Sequence, residues 1–369
     1  MSQWINWGDG SDGSPNAISG TVNTYATCTG TAGQTVLTTA LAASEGDQIL
    51  VHQSQHATAA GTWEIVKVVS DAGATLNLYS ALVNSYSTGA QAVLIPQYSG
   101  GDISGAVTGT AWNGTVGGIT AIMSNGDLTV SGSITPPSGF LKGGAVGGVG
   151  TGKQGDGTIA AGGTQSGNAN GNGGGGGPKG AGDAAAGGGG GGNGTAGGNG
   201  NVGQAGAAGT GGAAAGAAAL TTMVFGGAGG SGGFGNRDAS NGLGGNGSGI
   251  VLIIAKNITI TGTIPLTGSV GENGTADSAY WTGGGGGAGG SCLIKCQVAV
   301  LGTNRITAAG GVGGTGSNGN GWWNYGGDGG VGRIRCDYFT SITGSTTPTL
   351  SSAQDLTLNV QQSGAFAFF

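Results

Sequence analysis

Residues 283–296 read GGGGGAGGSCLIKC, a glycine run that leads directly into a short strand. The same junction occurs at residues 249–255 (GIVLIIA) and 330–336 (GVGRIRC), so the unit repeats about every 40 residues. Repeats of this length indicate one supersecondary unit that stacks on its neighbours. An earlier copy, residues 121–134, precedes the long glycine-rich insert 141–249. The sequence therefore predicts stacked strand repeats, as in a β-solenoid, that carry glycine segments.

Alternation along these strands predicts which side chains face inward, because successive strand residues point to opposite faces. One face collects apolar and cysteine side chains, and the other carries Lys295, Arg333 and Arg335. If the repeats align on their cysteines, the inner face forms an isoleucine ladder, made of Ile253, Ile294 and Ile334.

The cysteines are too few for a disulfide scaffold, since the chain has only Cys28, Cys292, Cys296 and Cys336. Only the predicted Cys296–Cys336 column could form a disulfide. The alternative is that both are free thiols, which pack as small apolar residues.

Glycine recurs at every third residue between the strands. The longest series runs unbroken from Gly188 to Gly212. A polyglycine-II helix has three residues per turn and no internal hydrogen bonds, so a row of glycines lets a neighbouring helix approach closely. Ordering glycine costs conformational entropy, which hydrogen bonds between helices can offset. With only seven prolines the chain is not collagen-like, and we predict a bundle of polyglycine-II helices folded within one chain.

Three regions follow from these patterns, and the predicted fold class is all-β with polyglycine-II helices. Residues 1–115 are predicted to form an N-terminal β-rich module, with short strands at 49–52, 63–69, 75–78 and 91–95 and a possible helical turn at 38–44. Residues 116–349 hold the strand repeats and the glycine bundle. Residues 350–369 form an assembly tail, because an exposed terminus ending in three phenylalanines is unfavourable.

The glycine runs pair as hairpin arms, and the tips that join the arms carry the polar and aromatic residues that the arms lack. The tips are residues 236–241, 275–282 and 320–325. Aromatic rings offer rigid contact area to a sugar ring or a protein, but they could equally cap the bundle or contact another subunit. The candidate receptor-binding residues are Arg237, Asp238, Tyr280, Trp281, Trp322, Trp323 and Tyr325.

Over residues 115–345 this architecture resembles the distal adhesins of bacteriophage tail fibres, whose polyglycine-II sandwich presents host-binding loops. It also resembles glycine-rich surface proteins of bacteria and phages. The resemblance implies a host-recognition protein of a virion tail or an extracellular surface assembly. Its partners would be a host-cell surface receptor (a glycan or an outer-membrane protein) and other virion or filament subunits, which would contact residues 1–115 and the C-terminal tail. The alternatives are a purely structural subunit of a filament or virion and, more remotely, an ice-binding protein with a flat Thr/Ala face.

Charge and motif content argue against other classes of function. The net charge is −6 with no basic cluster, which argues against nucleic acid, and no apolar run is long enough to insert into a membrane. The N-terminus lacks a signal-peptide pattern. A near P-loop at residues 147–153 is followed by Gln154 instead of Ser or Thr. His52, His56 and Glu64 lack the spacing of a metal site, so we expect no enzyme activity, cofactor or metal.

Overall fold

A computed structural model describes residues 7–144, 150–181, 184–203, 205–235, 241–275, 281–316 and 323–359. Within these ranges the protein is all-β, with one 3-10 helix at Leu356–Leu358. None of its described helices is long and apolar enough to cross a membrane. The strands in chain order are β1 (Gly20–Thr21), β2 (Tyr25–Thr29), β3 (Val36–Thr39), β4 (Gln48–Gln53), β5 (Trp63–Asp71), β6 (Thr75–Leu78), β7 (Ala90–Ile95), β8 (Gln97–Tyr98), β9 (Gly101–Ile103), β10 (Ala106–Thr108), β11 (Ile119–Val130), β12 (Ser133–Thr135), β13 (Ile250–Ile260), β14 (Ile264–Pro265), β15 (Ser291–Thr307), β16 (Arg333–Thr347) and β17 (Ser351–Gln354).

Strands β2 to β7 form a closed antiparallel barrel in the order β2-β3-β6-β5-β4-β7. The four strands predicted in this region are confirmed as β4, β5, β6 and β7. The helical turn predicted at residues 38–44 is wrong, because Thr38 and Thr39 belong to β3. That strand pairs with β6 and buries alternate residues, Leu37 and Thr39. After Ile95 the chain leaves the barrel, and β8, β9 and β10 pair with strands of the two parallel sheets.

Four long strands, β11, β13, β15 and β16, lie side by side in one parallel sheet. Residues 250–255 pair with 291–296, which pair in turn with 333–338. A second parallel sheet, β1-β10-β12, lies across an apolar core and contributes Val107 and Ile134 to it. The inward-facing residues of the long strands fill the rest of that core.

The alignment of the strands corrects the predicted ladder by two residues. Ile253 is paired with Ile294 as predicted, but Ile294 is paired with Cys336, and Ile334 with Cys292. The main chain sets this register, because the N–H of Arg333 donates to Gly290 O and starts the pairing two residues later than the cysteine alignment assumed. All four cysteines are free and buried, so the thiols serve as small core residues.

The outer face of the long strands is also largely buried, which the sequence did not indicate. In β13 the outward residues Ile250, Leu252 and Ile254 share a second core with barrel residues such as Leu50 and Val93. The polar outer residues lie farther along, where Lys295 Nζ and Arg335 Nε lie 2.8 and 2.6 Å from the carboxylate oxygens of Asp337. The barrel therefore packs against the outer side of the parallel sheet.

The glycine segments form a body of their own, which we call the glycine lattice: the described residues of 139–249, 266–290 and 308–332. Its hydrogen bonds repeat every three residues. Along residues 226–234, successive N–H groups donate in rotation to three neighbouring segments, 242–248, 186–192 and 150–156, at N···O distances of 2.8–3.1 Å. A β-strand directs its N–H groups to two sides only, so these segments follow a three-residue repeat.

A second segment shows the same rotation. Residues 283–290 donate in turn to segments 324–330, 266–272 and 227–230, at 2.8–3.0 Å. At the glycine positions of these two segments a neighbouring chain lies too close for a side chain, and the buried positions between them hold small residues, Ala228, Ser231 and Ala288. A Cβ at Gly287, for example, would overlap the carbonyl oxygen of Asn246. Glycine is therefore required here by the close approach of two backbones.

The lattice rests on the barrel through side chains that hydrogen-bond to lattice carbonyls. His52 Nε2 lies 2.7 Å from Met223 O, and His52 Nδ1 lies 2.9 Å from Ser54 Oγ. Trp63 Nε1 donates to Leu220 O at 2.9 Å, and the N–H of Met223 donates to Gly61 O at 2.9 Å. We call this side, where the segments also join the strands, the proximal end of the lattice, and the opposite side the distal end.

A matched pair of glycines tests the close packing. A Cβ at Gly143 would overlap Lys153 O and crowd the N–H of Ser231, whereas a Cβ at Gly144 would meet nothing within 4 Å. We expect Gly143→Ala to lower the free energy of unfolding by about 1–3 kcal/mol. Gly144→Ala should be neutral or slightly stabilising, because alanine restricts the unfolded chain. Equal urea midpoints for the two variants would contradict a lattice packed through glycine.

The lowered pKa of His52, which lies where the lattice meets the barrel, predicts a loss of stability in acid. Burial lowers the pKa of His52 from 6.5 to about 4, so between these values the unfolded chain binds a proton that the folded protein does not. Stability should therefore fall as the pH drops from 6.5 to 4, by on the order of 2–3 kcal/mol for this group. Urea unfolding of the wild type and of His52→Gln over this range measures the effect. The slope should flatten in His52→Gln and persist in the control, His56→Gln.

Candidate functional site

The three predicted tips leave from the same end of the lattice. Segments 242–249, 283–290 and 324–332 all run back from a tip into a strand, β13, β15 and β16 respectively. Their first residues are neighbours, because Gly242 N donates to Thr282 O at 2.7 Å and Gly283 N donates to Asn324 O at 2.9 Å. The bases of the three tips therefore lie side by side at the distal end.

Described residues that flank three further connections also lie at this end, and the sequence did not predict these connections. Phe234 and Gly150 exchange main-chain hydrogen bonds of 2.8 and 2.9 Å beside the connection 145–149. Ala186 N donates to Pro178 O at 3.1 Å beside 179–184, and Asn201 N donates to Tyr325 O at 2.8 Å beside 202–206. The described residues that flank six connections of the chain thus lie together at the distal end.

The connection 202–206 could not be recognised from the sequence, because its glycines continue the three-residue period. The series from Gly188 to Gly212 covers three segments that reverse direction twice, since residues 187 and 190 donate to 201 and 198, and residues 197 and 200 donate to 212 and 209. Gly203 and Gly206 stay in phase with the series, but their φ angles are +50° and +76°. At both positions glycine provides the positive φ of a turn. A Cβ at Gly206 would meet nothing within 4 Å, whereas a Cβ at Gly203 would also overlap Asn324 Oδ1. Composition does not distinguish a glycine in a turn from a glycine in a packed segment.

An exposed aromatic pair stands at the distal end. The rings of Trp323 and Tyr325 are stacked, with centroids 5.5 Å apart and planes 6° from parallel, and the two residues are 54% and 37% exposed. Between them Asn324 is buried, and its N–H donates to Gly316 O at 3.1 Å. The main chain at 324 is therefore held in the lattice, while the residues on either side present their rings to solvent.

The other candidate residues are distributed differently. Trp281 is half-buried, and its carbonyl accepts a 3.5 Å hydrogen bond from Asn324 Nδ2. Arg237, Asp238, Tyr280 and Trp322 lie outside the described residues. The structure therefore brings together Trp281, Trp323 and Tyr325.

Charged side chains at this end and along its flank are tied to the lattice. Lys142 Nζ is paired with the carboxylate of Glu272. Asp328 Oδ1 accepts a 2.8 Å hydrogen bond from Gly313 N. Asp328 is exposed and lies three residues after Tyr325 on the same segment.

The histidines and Glu64 do not lie at the distal end. His52 lies at the proximal junction. The carboxylate of Glu64 accepts hydrogen bonds from the N–H groups of Val83 and Asn84, both at 2.9 Å, and from the Tyr86 hydroxyl at 3.1 Å. Among the residues that the structure describes, no group of three His, Cys, Asp or Glu side chains could hold a metal ion. The arrangement at the distal end offers contact area and hydrogen bonding.

No protein-family model, curated protein or solved structure matches this chain.

Proposed function

We propose that this protein is a non-enzymatic adhesive protein that binds a host-cell surface receptor, as the distal adhesin of a phage tail fibre does. The residues that flank six connections lie together at the distal end, away from the barrel, and this observation carries the proposal. A rigid scaffold that presents loops at one end is the usual arrangement in recognition proteins. The exposed Trp323–Tyr325 stack supplies rigid contact area there.

We further infer that the lattice segments are left-handed polyglycine-II helices and that the parallel strands are the stacked turns of a β-solenoid. The three-residue rotation of the hydrogen bonds supports the first inference, since that helix has three residues per turn. The parallel pairing of β11, β13, β15 and β16 around one core supports the second. In this arrangement the solenoid fixes where each glycine hairpin begins.

In this proposal the rest of the chain attaches the protein to a virion or surface assembly. Residues 1–115 and the tail 350–369 would contact other subunits and leave the distal end free for the receptor. The proposed location is the tail of a virion or an extracellular surface assembly.

An ice-binding role has one feature in its favour, an exposed row of small residues at Ala207, Thr210 and Ala213. The next segment exposes Asn199 and Val202, which interrupt a regular Thr/Ala face. The exposed rings of the distal end have no use in that role, so we favour adhesion.

Backbone angles test the assignment of the lattice helices. Residues 226–234 and 283–290 should have φ of about −75° and ψ of about +145°. A crystal structure or solid-state NMR torsion-angle measurement gives both angles directly. Values near φ −120°, as in parallel strands, or irregular coil across both segments would contradict the polyglycine-II assignment.

Attachment to cells tests the adhesive role. Fluorescently labelled protein is applied to a panel of bacterial strains, and the wild type should attach to at least one. The double variant Trp323→Ala/Tyr325→Ala should lose most of this attachment, because it removes the exposed rings. Its melting temperature should stay within about 2 °C of wild type, since surface substitutions usually change stability by less than ~0.5 kcal/mol.

A matched control removes two exposed apolar side chains from the flank of the lattice. Val270 and Ile159 are 64% and 49% exposed, and Val270→Ala/Ile159→Ala should attach like the wild type. If the aromatic double variant instead melts far below the wild type, the rings cap the bundle or contact another subunit. That result would favour the purely structural alternative, as would native assemblies in which electron microscopy shows the distal end buried in a repeating array.

A further inference from the structure

The stacked rings leave aromatic surface free for a ligand. In a parallel stack each ring covers one face of the other, so Trp323 and Tyr325 each keep one outer face. Trp323 is the more exposed of the two, at 54%. The face of an aromatic ring carries partial negative charge, and it attracts the C–H groups that line one side of a pyranose ring.

A carboxylate follows the rings along the same segment. Asp328 is three residues beyond Tyr325, which in a three-residue repeat is one turn, about 9 Å. The exposed residues 325 and 328 therefore lie in one row. Asp328 Oδ1 is held by the N–H of Gly313 at 2.8 Å, so its other oxygen can accept hydrogen bonds from a ligand. Ionised carboxylates accept strong hydrogen bonds from hydroxyl groups.

The neighbouring segment contributes to the same face. Gly326 N donates to Gly314 O at 2.9 Å, which sets the segment 308–316 beside Tyr325 and Asp328. Its exposed residues there are Val312 and Thr315. Among the residues that the structure describes, the five side chains of this face thus comprise two aromatic rings, one carboxylate, one hydroxyl and one valine, and none of the five is a cation. Such a face disfavours phosphorylated, sulfated or sialylated ligands and suits neutral polyhydroxyl compounds.

We propose that Trp323, Tyr325 and Asp328 bind a neutral oligosaccharide, with one pyranose ring on the indole and a following ring within reach of the carboxylate. The spacing of about 9 Å along the segment exceeds one pyranose ring, so the ligand has at least two. This assignment rests on the proposed adhesive function and names the chemistry of the receptor: a neutral glycan of the cell surface.

Saturation-transfer NMR tests the site directly. The full chain is titrated with maltotriose, cellotriose, mannotriose and tri-N-acetylchitotriose, and at least one should bind the wild type. For that sugar, Trp323→Ala should weaken binding about tenfold and Asp328→Asn about fivefold. Asp328→Asn keeps the Oδ1 acceptor for Gly313 and so preserves the lattice. The flank variant Val270→Ala should bind like the wild type.

Cell treatments separate this proposal from the adhesive function on which it rests. Periodate cleaves sugar diols, whereas protease removes surface proteins. Attachment that periodate abolishes and protease spares supports a glycan receptor, even when none of the four trisaccharides binds. Attachment that protease abolishes and periodate spares overturns the glycan while leaving adhesion intact. A preference for sialylated or sulfated sugars overturns the neutral ligand, and a wild-type protein that attaches to no strain and binds no sugar overturns both.

Discussion

The close approach of glycine backbones is the constraint on which this structure depends. Inner lattice segments such as 226–234 and 283–290 direct their N–H groups to three neighbours in rotation, and at their glycine positions a Cβ would overlap a neighbouring segment. Glycine loses more conformational entropy on folding than any other residue. The lattice offsets that cost by satisfying main-chain groups that would otherwise need water, and the benefit arises only when all neighbours are present. Removing one segment would leave main-chain N–H donors unpaired in the segments on all three sides of it.

Where a segment has no neighbouring segment on one side, polar side chains accept the hydrogen bonds from its main-chain N–H groups. Asn273 Oδ1 accepts from Thr315 N at 2.7 Å, and Asn199 Oδ1 accepts from Gly211 N at 2.8 Å. Asp328 and Thr195 do the same for Gly313 and Val331. These short polar side chains satisfy donors that a further glycine segment would take. The surface of the lattice is therefore specified by sequence, although its interior is nearly uniform.

The rest of the fold organises the lattice from its proximal end. The parallel sheet fixes the starting point of each returning segment, as the hydrogen bond from Arg333 to Gly290 shows for the last repeat. The barrel packs on the outer face of that sheet and holds Met223 and Leu220 through His52 and Trp63. Because both supports act at the proximal end, the distal connections are free to differ in length and composition. The residues at the distal end can therefore change without disturbing the packing, which is what the proposed adhesive role requires.

Elements with a local period could be predicted from the amino-acid pattern alone. Strand-forming runs between turn signals located four of the six barrel strands, alternation located the inward faces of β13, β15 and β16, and a period of three marked the glycine segments. The tertiary structure decided what depends on partners distant in the chain. It shifted the ladder by two residues, because main-chain hydrogen bonds at Gly290 set the register. It buried both faces of β13, because the barrel packs there. It also brought 179–184 and 202–206 to the distal end, because a glycine in a turn and a glycine in a packed segment are the same letter, and only the surrounding backbones distinguish them.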